Sequence, residues 1–394
     1  MAIRHQLAVY SPISIAAPLR GAAAALHIMA DPRPALVELL RQEYDASGVL
    51  LTGSGTQALQ VAIAMAVQRA GGGDPIVALP AFSCFDVVSA AIGAGVSTAL
   101  YDLDPETLSP DLGSLKRTLM AGARVAVIAP LYGMPVDWGA LQDLANRHGT
   151  ILIEDAAQGH GAAWRSKTLG TIGDISTLSF GRGKGWTGGA GGAVLVRGAM
   201  SLDSSAPRDV AAGKEASTIV GLLAQWTLGR PAVYGIPHSI PALGLGETTF
   251  HPPVVPTTMP RSAAAAVMNA RVGSRQEAAS RAENARWFLE RMPSDAGVRP
   301  VRPLEGAAAG YLRLPIRVTG GMSGFDSVGR AMALGIAQSY PRSLAGLAPR
   351  LAGPDRAWPG ADELAGVLVT LPTHSRITRA ERDEIVRMLH PKPR

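Results

Sequence analysis

The feature that most constrains this chain of 394 residues is a regular alternation of short apolar runs with amphipathic, helix-like segments, beginning near residue 34. Such alternation, with continuous apolar runs, is typical of a largely parallel sheet with helices on both faces. Ligands of these sheets bind beyond the carboxyl ends of the strands, so polar residues that follow the apolar runs are the candidate functional residues. The predicted strands are 75–79, 97–101, 125–130, 150–153, 175–180 and 193–196, and helical segments between the first four are 85–92, 112–119 and 138–147.

Length and composition indicate a folded protein of more than one domain. Hydrophobic residues make up 47% of the chain and charged residues only 17%, which is typical of a compact globular protein and not of a disordered one. A chain of this length is too long for one simple core. We therefore predict a large domain with an N-terminal arm over residues 1–255 and a smaller C-terminal domain over residues 256–394.

The charge and the cysteine content restrict the partners and the compartment. The net charge of +6 comes from scattered arginines and not from a basic run interleaved with aromatic residues, so an attraction for anionic small molecules is expected, and no nucleic acid partner. The single cysteine, Cys84, excludes an intrachain disulfide framework and a multi-cysteine metal site. We expect no metal site and a cytoplasmic location.

Two apolar stretches, one at the N-terminus and one over residues 217–246, raise the question of a targeting or membrane segment. The N-terminal stretch is interrupted by Pro12, Pro18 and Arg20, so no secretory leader is expected. The stretch 217–246 is interrupted by an arginine and three prolines, well short of a continuous spanning helix. It predicts a buried or interface helix and no membrane span.

Lys184 is the first candidate for covalent chemistry. It is one of only five lysines, against 32 arginines, and it lies in a glycine-rich segment directly before the apolar run 193–196. Glycines let backbone approach a bound group closely, and a lysine shielded from water more readily becomes the neutral amine that attacks a carbonyl to form a Schiff base. The alternative is an ordinary exposed loop lysine, as the surroundings of the other four suggest for them.

A second signal follows the strand-like residues 49–51. Residues 52–59, Thr-Gly-Ser-Gly-Thr-Gln-Ala-Leu, open a helix with small hydroxyl residues and glycines, which favours binding of an anion such as phosphate at the free N–H groups. The alternative is simple helix capping. The segment is neither a dinucleotide-binding fingerprint nor a Walker loop.

A third signal stands at the end of the predicted strand 150–153. Residues 154–160 read Glu-Asp-Ala-Ala-Gln-Gly-His, and an acidic residue here either caps a helix or, in a Schiff-base enzyme, keeps a pyridine nitrogen protonated so that the ring withdraws electrons. A phosphate-binding helix start, a strand-end carboxylate and a glycine-framed lysine are together the parts that hold pyridoxal 5'-phosphate.

With these motifs, the chain resembles the DegT/DnrJ/EryC1/StrS family, which are pyridoxal-phosphate-dependent sugar aminotransferases of fold type I. The match is dense over residues 50–197. Within this range it includes the segments 80–83, 102–104, 131–135, 154–162, 173–174, 179–180 and 191–192. It implies an α/β fold in which a mostly parallel seven-stranded sheet forms the large domain beside a smaller α+β C-terminal domain. It also implies a homodimer and a role in polysaccharide biosynthesis.

The resemblance implies a role for each matching residue. Lys184 would bind the aldehyde of the cofactor, Asp155 would pair with the pyridine nitrogen, and Gln158 would contact the ring hydroxyl. The phosphate would be held by three residues, Gly55, Thr56 and Ser179. An aromatic residue often covers the ring in this family, but the aligned position holds Cys84, so Phe85, the next residue, is taken as the candidate.

Two departures from the family pattern concern the substrate. The family's usual glycine-aromatic-asparagine-aromatic-arginine segment, whose asparagine reaches the partner subunit's cofactor, is replaced near residues 249–253, and the usual acidic residue before the paired glycines is Ala190. His251 and His374 could line the site but are more often structural residues. Arg182, directly before the lysine segment, is a candidate substrate contact.

The sequence thus predicts an aminotransferase that moves an amino group from L-glutamate to a keto sugar, expected to be nucleotide-linked, by a ping-pong mechanism. A second hypothesis keeps the fold and changes the substrate to a cyclitol or another non-sugar ketone, or the reaction to a dehydration. Family dehydratases commonly lack the lysine, so Lys184 argues against the latter. A third hypothesis is a non-catalytic regulatory relative, which the intact lysine, carboxylate and phosphate site disfavour.

Overall fold

A seven-stranded sheet forms the centre of the protein in the computed structural model, which describes residues 5–198, 202, 208, 212–238, 249–293, 297–348 and 350–390. The strand order is β1-β9-β8-β5-β4-β2-β3, and only β9 runs against its neighbours. The strands are β1 (Gly48–Thr52), β2 (Ile76–Pro80), β3 (Ser97–Tyr101), β4 (Ala123–Ile128), β5 (Ile151–Asp155), β8 (Ile175–Ser179) and β9 (Gly192–Val196).

Helices cover both faces of this sheet. Alternate residues of one strand point to opposite faces, so Val125 and Val127 of β4 join one apolar core while Ala126 and Ile128 join the other. The first core contains α3 (Gly55–Arg69) and α4 (Phe85–Ala94). The second contains α2 (Pro32–Glu43), α5 (Leu112–Met120), α6 (Trp138–His148) and part of α9 (Arg261–Leu289).

Local signals set the ends of these helices. Asp111 and Asp137 cap α5 and α6, where their side chains accept hydrogen bonds from the N–H groups of Ser114 and Ala140. At the other ends, α4 and α6 are followed by glycines in the left-handed conformation, as many helices are. The helices of the large domain therefore begin and end close to the predicted positions.

The C-terminal part has its own core. A four-stranded antiparallel sheet, β10-β12-β14-β13, packs against the end of α9 through Phe288 and residues such as Ile316 and Val369. Its elements are β10 (Val298–Pro300), β12 (Leu314–Val318), α10 (Val328–Ala333), β13 (Ala337–Gln338), α11 (Pro359–Val367), β14 (Leu368–Leu371) and α12 (Arg379–Leu389). A small sheet of β11 (Ala307–Ala308), β6 (Ala163–Trp164) and β7 (Lys167–Thr168) lies between the two parts of the chain.

The predicted fold class is confirmed: the structure is α/β with a seven-stranded, mostly parallel sheet and an α+β C-terminal part. The domain boundary at residues 255 and 256 stays a prediction. α9 contributes to the core of the large domain with residues such as Ala263 and Val267, and to the C-terminal core with Phe288.

The remaining helices are α1 (Ala16–Ala25), α7 (Ala212–Leu228) and α8 (Pro231–His238). Residues 239–246 of the predicted interface helix, 217–246, lie outside the described residues. Of its described residues, Leu222 is fully buried whereas Val220 is 64% exposed. Within the described chain, no helix has the length and apolar character needed to cross a bilayer.

Candidate active site

One cavity lies beyond the carboxyl ends of strands β2, β4, β5 and β8, against the start of α3. It brings together six of the seven predicted site residues, which come from three distant parts of the sequence. The predicted residues in its wall are Gly55, Thr56, Asp155, Gln158, Ser179 and Lys184, and the others are Leu59, Ser83, Cys84, Asp86, Val87, Ala129, Pro130, Leu131 and Ala157.

The start of α3 forms the predicted anion-binding end of the cavity. Ser54 caps the helix, its hydroxyl accepting a hydrogen bond of 3.2 Å from the N–H of Gln57. A Cβ at Gly55 would lie 2.5 Å from both Cβ and Oγ of Ser179, so only glycine allows the helix start to approach β8 this closely. The first N–H groups of a helix have no partner within it, and here Gly55 and Thr56 present theirs in the wall of the cavity.

Asp155 is the last residue of β5 and lies within the same cavity. Its Oδ1 accepts hydrogen bonds from the N–H of Ala157 at 3.1 Å and from the hydroxyl of Thr177 at 3.3 Å. Burial raises the pKa of the Asp155 carboxyl above its ordinary value, although the charge of Lys184 and these two hydrogen bonds act in the opposite direction. A cationic group bound beside Asp155 would therefore relieve an unfavourable burial.

Lys184 lies in the loop between β8 and β9, which is held from several sides. The Ser11 hydroxyl of the N-terminal arm donates a hydrogen bond of 2.6 Å to the Lys184 carbonyl. At the next residue, Gly185, a Cβ would lie 2.6 Å from Cβ of His160 and 3.2 Å from Nη1 of Arg281. The loop is therefore closely packed on its inner side, and the Lys184 side chain faces the cavity.

The other acidic residues near Asp155 have structural partners. Glu154 is fully buried, and its carboxylate accepts hydrogen bonds from the N–H groups of Gly170, Ile172 and Gly173 and from Ser176. Asp174 accepts from the N–H of Leu152 at 2.8 Å. Asp155 is thus the acid of this segment that remains for a ligand.

Gln158 connects the cavity to the C-terminal part of the chain. Its Oε1 accepts a hydrogen bond of 2.8 Å from the N–H of Tyr132, and its Nε2 donates one of 3.0 Å to the hydroxyl of Tyr340. The rings of these two tyrosines are stacked, with centroids 6.4 Å apart. Gln158 is therefore held in one orientation from both sides.

Phe85 is the predicted site residue that is not in the cavity wall. Its side chain is 3% exposed, its ring centroid lies 6.4 Å from that of Tyr340, and the Arg342 guanidinium lies 5.5 Å from the ring centroid. Its role as a cofactor contact stays a prediction. Cys84, one residue earlier, does line the cavity, and burial beside Asp86 raises the pKa of its thiol to about 12.

Sequence reasoning missed two residues of the wall, Ser83 and Asp86. Both follow β2, where the topology places the end of that strand beside the end of β4. The signal that could have found them is their position at the carboxyl end of a central strand.

Three residues considered from the sequence lie elsewhere. Imidazole Nε2 of buried His374 lies 2.8 Å from the carbonyl of Leu7, and burial lowers the pKa of this histidine to about 4. His251 is exposed beside Thr249. Arg182 lines a separate pocket that it shares with Ala190 and Lys214.

The residues present fit the predicted cofactor. The tight approach of Gly55 to Ser179 leaves a helix start that suits a phosphate, and the buried carboxyl of Asp155 suits a protonated ring nitrogen. The amine of Lys184 lies in the same cavity. The helix start, the carboxyl and the amine thus suit the phosphate, the ring nitrogen and the aldehyde of pyridoxal phosphate.

Comparison with known proteins agrees with this geometry. Residues 36–201 match the model of the DegT/DnrJ/EryC1/StrS aminotransferase family. This part of the chain is therefore similar to that family. The matched segment begins in α2 and ends after β9, so it contains the whole cavity wall.

Two curated relatives match part of the chain. L-glutamine:2-deoxy-scyllo-inosose aminotransferase of Streptoalloteichus tenebrarius is 36% identical over 146 residues, which is 37% of this chain and 34% of that protein. GDP-perosamine synthase of Vibrio cholerae is 31% identical over 151 residues, 38% of this chain and 40% of that protein. The chain therefore spans about a third of the length of the first relative.

A solved structure extends the likeness in fold to nearly the whole chain. Sugar aminotransferase CalS13 from Micromonospora echinospora superposes with a TM-score of 0.73 at 20% sequence identity and covers 97% of this chain and 98% of its own. At this level of identity the superposition shows a shared fold. The likeness in fold therefore includes the C-terminal part, which the family model does not reach.

Proposed function

We propose that this protein is a pyridoxal-phosphate-dependent aminotransferase. The observation that carries the proposal is that Lys184, Asp155 and the start of α3 lie in one cavity. In the sequence, Gly55 at the start of α3 and Lys184 are 129 positions apart. The match of residues 36–201 to an aminotransferase family model supports it. When bound, the cofactor supplies an electron-withdrawing ring, which allows a bound amino acid to lose its α-proton.

The residues of this chain would have distinct tasks. The N–H groups of Gly55 and Thr56, with the Ser179 hydroxyl, would hold the phosphate. The Asp155 carboxylate would keep the ring nitrogen protonated. The Nζ of Lys184 would first hold the cofactor and then, once displaced by an amino acid, take up and return the α-proton.

The same cavity would serve both halves of a ping-pong reaction. Two carboxylates, Asp86 and Asp155, share it with the single ammonium of Lys184. The amino donor leaves as a keto acid before the acceptor enters, so Lys184 would meet both in the same position. The buried surroundings of Asp155 would exclude water from the proton that Lys184 moves.

We propose L-glutamate as the donor and the ketone of a polyhydroxylated ring as the acceptor, with a nucleotide-linked keto sugar as the first candidate. The family resemblance supports the keto sugar, as does the net charge of +6, which favours an anionic substrate. A keto cyclitol is the second candidate. It is favoured by relatives named L-glutamine:2-deoxy-scyllo-inosose aminotransferase, a name that specifies a cyclitol ketone and also suggests L-glutamine as a donor.

The deciding experiment offers a panel of acceptors to enzyme that has first received an amino group from excess donor. Nucleotide-linked keto sugars and keto cyclitols are tested side by side, and the return of the lysine-bound cofactor's visible absorbance is followed. A response only to the sugars supports the first candidate. A response only to cyclitols replaces it by the second, and a protein that binds no cofactor would contradict both.

We also propose that the enzyme is a cytoplasmic homodimer that acts in polysaccharide biosynthesis. The dimer is supported by the exposed apolar residues of α7, in particular Val220 and Leu223, which are 64% and 42% exposed. The absence of paired cysteines supports the compartment.

A further inference from the structure

Glycines flank Lys184, so the loop itself restrains the lysine only weakly. Gly183 has a φ of 76°, a left-handed conformation, and Gly185 follows the lysine. The Lys184 N–H donates a hydrogen bond of 3.3 Å to the Gly181 carbonyl, and the Lys184 carbonyl accepts one of 2.6 Å from the Ser11 hydroxyl. The shorter of these two bonds comes from outside the loop. The position of the lysine backbone therefore depends on the N-terminal arm.

The part of the N-terminal arm that reaches the lysine loop, residues 6–11, is itself held by the C-terminal part of the chain. None of these residues is exposed. The Gln6 side chain donates a hydrogen bond of 2.7 Å to the Glu381 carboxylate. Imidazole Nε2 of His374 lies 2.8 Å from the Leu7 carbonyl. The arm segment 6–11 thus contacts the C-terminal part at its beginning and the lysine loop at its end.

Arg281 of α9 connects this arm segment to the lysine loop a second time. It is fully buried, and its Nη2 donates a hydrogen bond of 2.7 Å to the carbonyl of Tyr10, the residue before Ser11. Its Nη1 would lie 3.2 Å from a Cβ at Gly185, the residue after Lys184. One guanidinium therefore packs against both backbones, directly beside the hydrogen bond between Ser11 and Lys184.

Stability alone does not explain the burial of Arg281. Its Nε and Nη1 have no hydrogen-bond partner among the residues described. The carboxylate of Glu277 attracts its charge, but both oxygens of that carboxylate accept hydrogen bonds from Ser375. A buried guanidinium with incomplete partners costs free energy, and an apolar side chain of similar volume often stabilises a protein as well or better. Its place beside the lysine loop indicates a role in the geometry of that loop.

We propose that Ser11 and Arg281 are positioning residues, which fix the Lys184 backbone so that its Nζ meets the α-proton of the bound amino acid. This proposal rests on the proposed aminotransferase function. A displacement of about 1 Å at a reacting group can cost roughly 100-fold in rate, so a loop framed by glycines needs such external restraints. Both residues lie outside the segment 36–201 that the family model covers.

The first test measures the reaction of the cofactor-loaded enzyme with L-glutamate and with L-glutamine in single turnovers. Ser11→Ala should slow the rate at saturating donor roughly 10- to 100-fold. The KM for the donor should stay close to that of wild type, because Ser11 acts on the lysine and not on the substrate. Ser14→Ala is the matched control. Its hydroxyl also joins the arm to α9, through a hydrogen bond of 2.8 Å to Asn269, and its loss should leave the rate unchanged.

Hydrogen exchange of the cofactor-free protein provides a measurement that does not depend on activity. Ser11→Ala should speed exchange in the peptide that contains Lys184, because the loop loses its restraint from the arm, whereas Ser14→Ala should not. Arg281→Met should speed exchange in the same peptide and slow the single turnover, yet melt at the same or a higher temperature than wild type. A marked fall in its melting temperature would show a structural ion pair with Glu277 and overturn the assignment of Arg281.

The remaining outcomes separate this inference from the proposed function. If wild type transfers amino groups and Ser11→Ala keeps both the rate and the exchange of wild type, the positioning role is wrong and the proposed function stands. If Ser11→Ala raises the KM and leaves the rate at saturation unchanged, the arm acts on substrate binding and the proposal is overturned. If wild type accepts an amino group from no amino acid, the proposed function fails and this inference with it.

Discussion

At the scale of single residues, the cavity holds a carboxyl whose charge is incompletely compensated. Asp155 has a raised pKa although Lys184 lies in the same cavity. Burial of such a group lowers the stability of a protein unless a ligand compensates its charge. This carboxyl therefore supports the binding of a cationic group as well as chemistry.

Lys184→Ala should abolish both the yellow colour of the purified protein and its turnover. The reason is that the only amine in the cavity wall, among the residues described, would be lost. Borohydride reduction followed by peptide mapping should place the covalent adduct on Lys184 in wild type and find none in the variant. Lys116→Ala, on the exposed side of α5, is the control, and an adduct on Lys116, Lys167, Lys214 or Lys392 would contradict the assignment.

Asp155→Asn should reduce turnover by orders of magnitude while leaving cofactor binding partly intact. The amide can still accept the hydrogen bonds from Ala157 and Thr177, but it cannot keep a ring nitrogen protonated. Single-turnover rates and the cofactor dissociation constant would be measured side by side. Near-normal turnover would mean that another acid serves the ring.

The same substitution should show a pH-dependent effect on the stability of the cofactor-free protein. Because folding raises the pKa of Asp155, its ionisation costs stability as the pH rises through that pKa, whereas asparagine does not ionise. Asp155→Asn should therefore gain stability relative to wild type as the pH rises, and the difference should vanish in acid. Urea unfolding at several pH values checks this, with the exposed Asp143→Asn as the control. A variant less stable than wild type at neutral pH would show that burial of this carboxylate is not the dominant effect.

At the scale of elements, the approach of α3 to β8 decides whether a phosphate can be bound. Gly55→Ala would place a Cβ 2.5 Å from the Ser179 side chain and 3.2 Å from its Cα, so the helix start or the strand must move. We expect cofactor affinity to fall at least about tenfold, with about 1–3 kcal/mol lost from the free energy of unfolding. Fluorescence titration with pyridoxal phosphate and urea unfolding measure the two effects.

Gly329→Ala is the matched control for this substitution. Gly329 lies in α10, and a Cβ there would meet no heavy atom within 4 Å. It should leave cofactor affinity unchanged and add up to about 1 kcal/mol of stability, because alanine favours the helix. Equal losses of affinity in the two variants would show that crowding against Ser179 is not the cause.

The strands and helices of the large domain could be predicted from sequence because apolar runs and capping residues are local signals. The predicted strand 97–101 is the observed β3, and the predicted helix 138–147 differs from α6 by one residue. The hydrogen bonds of Gln158 with Tyr132 and Tyr340 could not be predicted in this way, because only the folded chain determines which groups surround a side chain.

The candidate site shows the same division between local and long-range information. Gly55, Asp155 and Lys184 each stand in a recognisable motif at the end of a predicted strand, so they could be found one by one. The hydrogen bond from the Ser11 hydroxyl to the Lys184 carbonyl joins residues 173 positions apart, and such a contact leaves no local pattern in the sequence. Phe85 is a candidate for covering the cofactor ring by its position in the sequence alone. In the structure its ring lies near Tyr340 and Arg342.

At the scale of the whole molecule, the exposed apolar residues of α7 predict an assembly of two copies. Val220→Asp should weaken that dimer, because it places a charge at the most exposed of the apolar positions named on this helix. Sedimentation equilibrium should show a larger fraction of monomer than in wild type. Met120→Asp, at a similarly exposed position on α5, is the control, and a fully active wild-type monomer would contradict the prediction.

The length of α9 has a consequence for how the two parts of the chain are joined. Its 29 residues span about 43 Å, and along this length the carbonyl of Val267 accepts a hydrogen bond from Trp186 of the lysine loop, while Arg281 lies close to Gly185 and Phe288 enters the C-terminal core. The lysine loop and the C-terminal core thus contact the same helix, so a substitution that breaks α9 should disturb both of them at once.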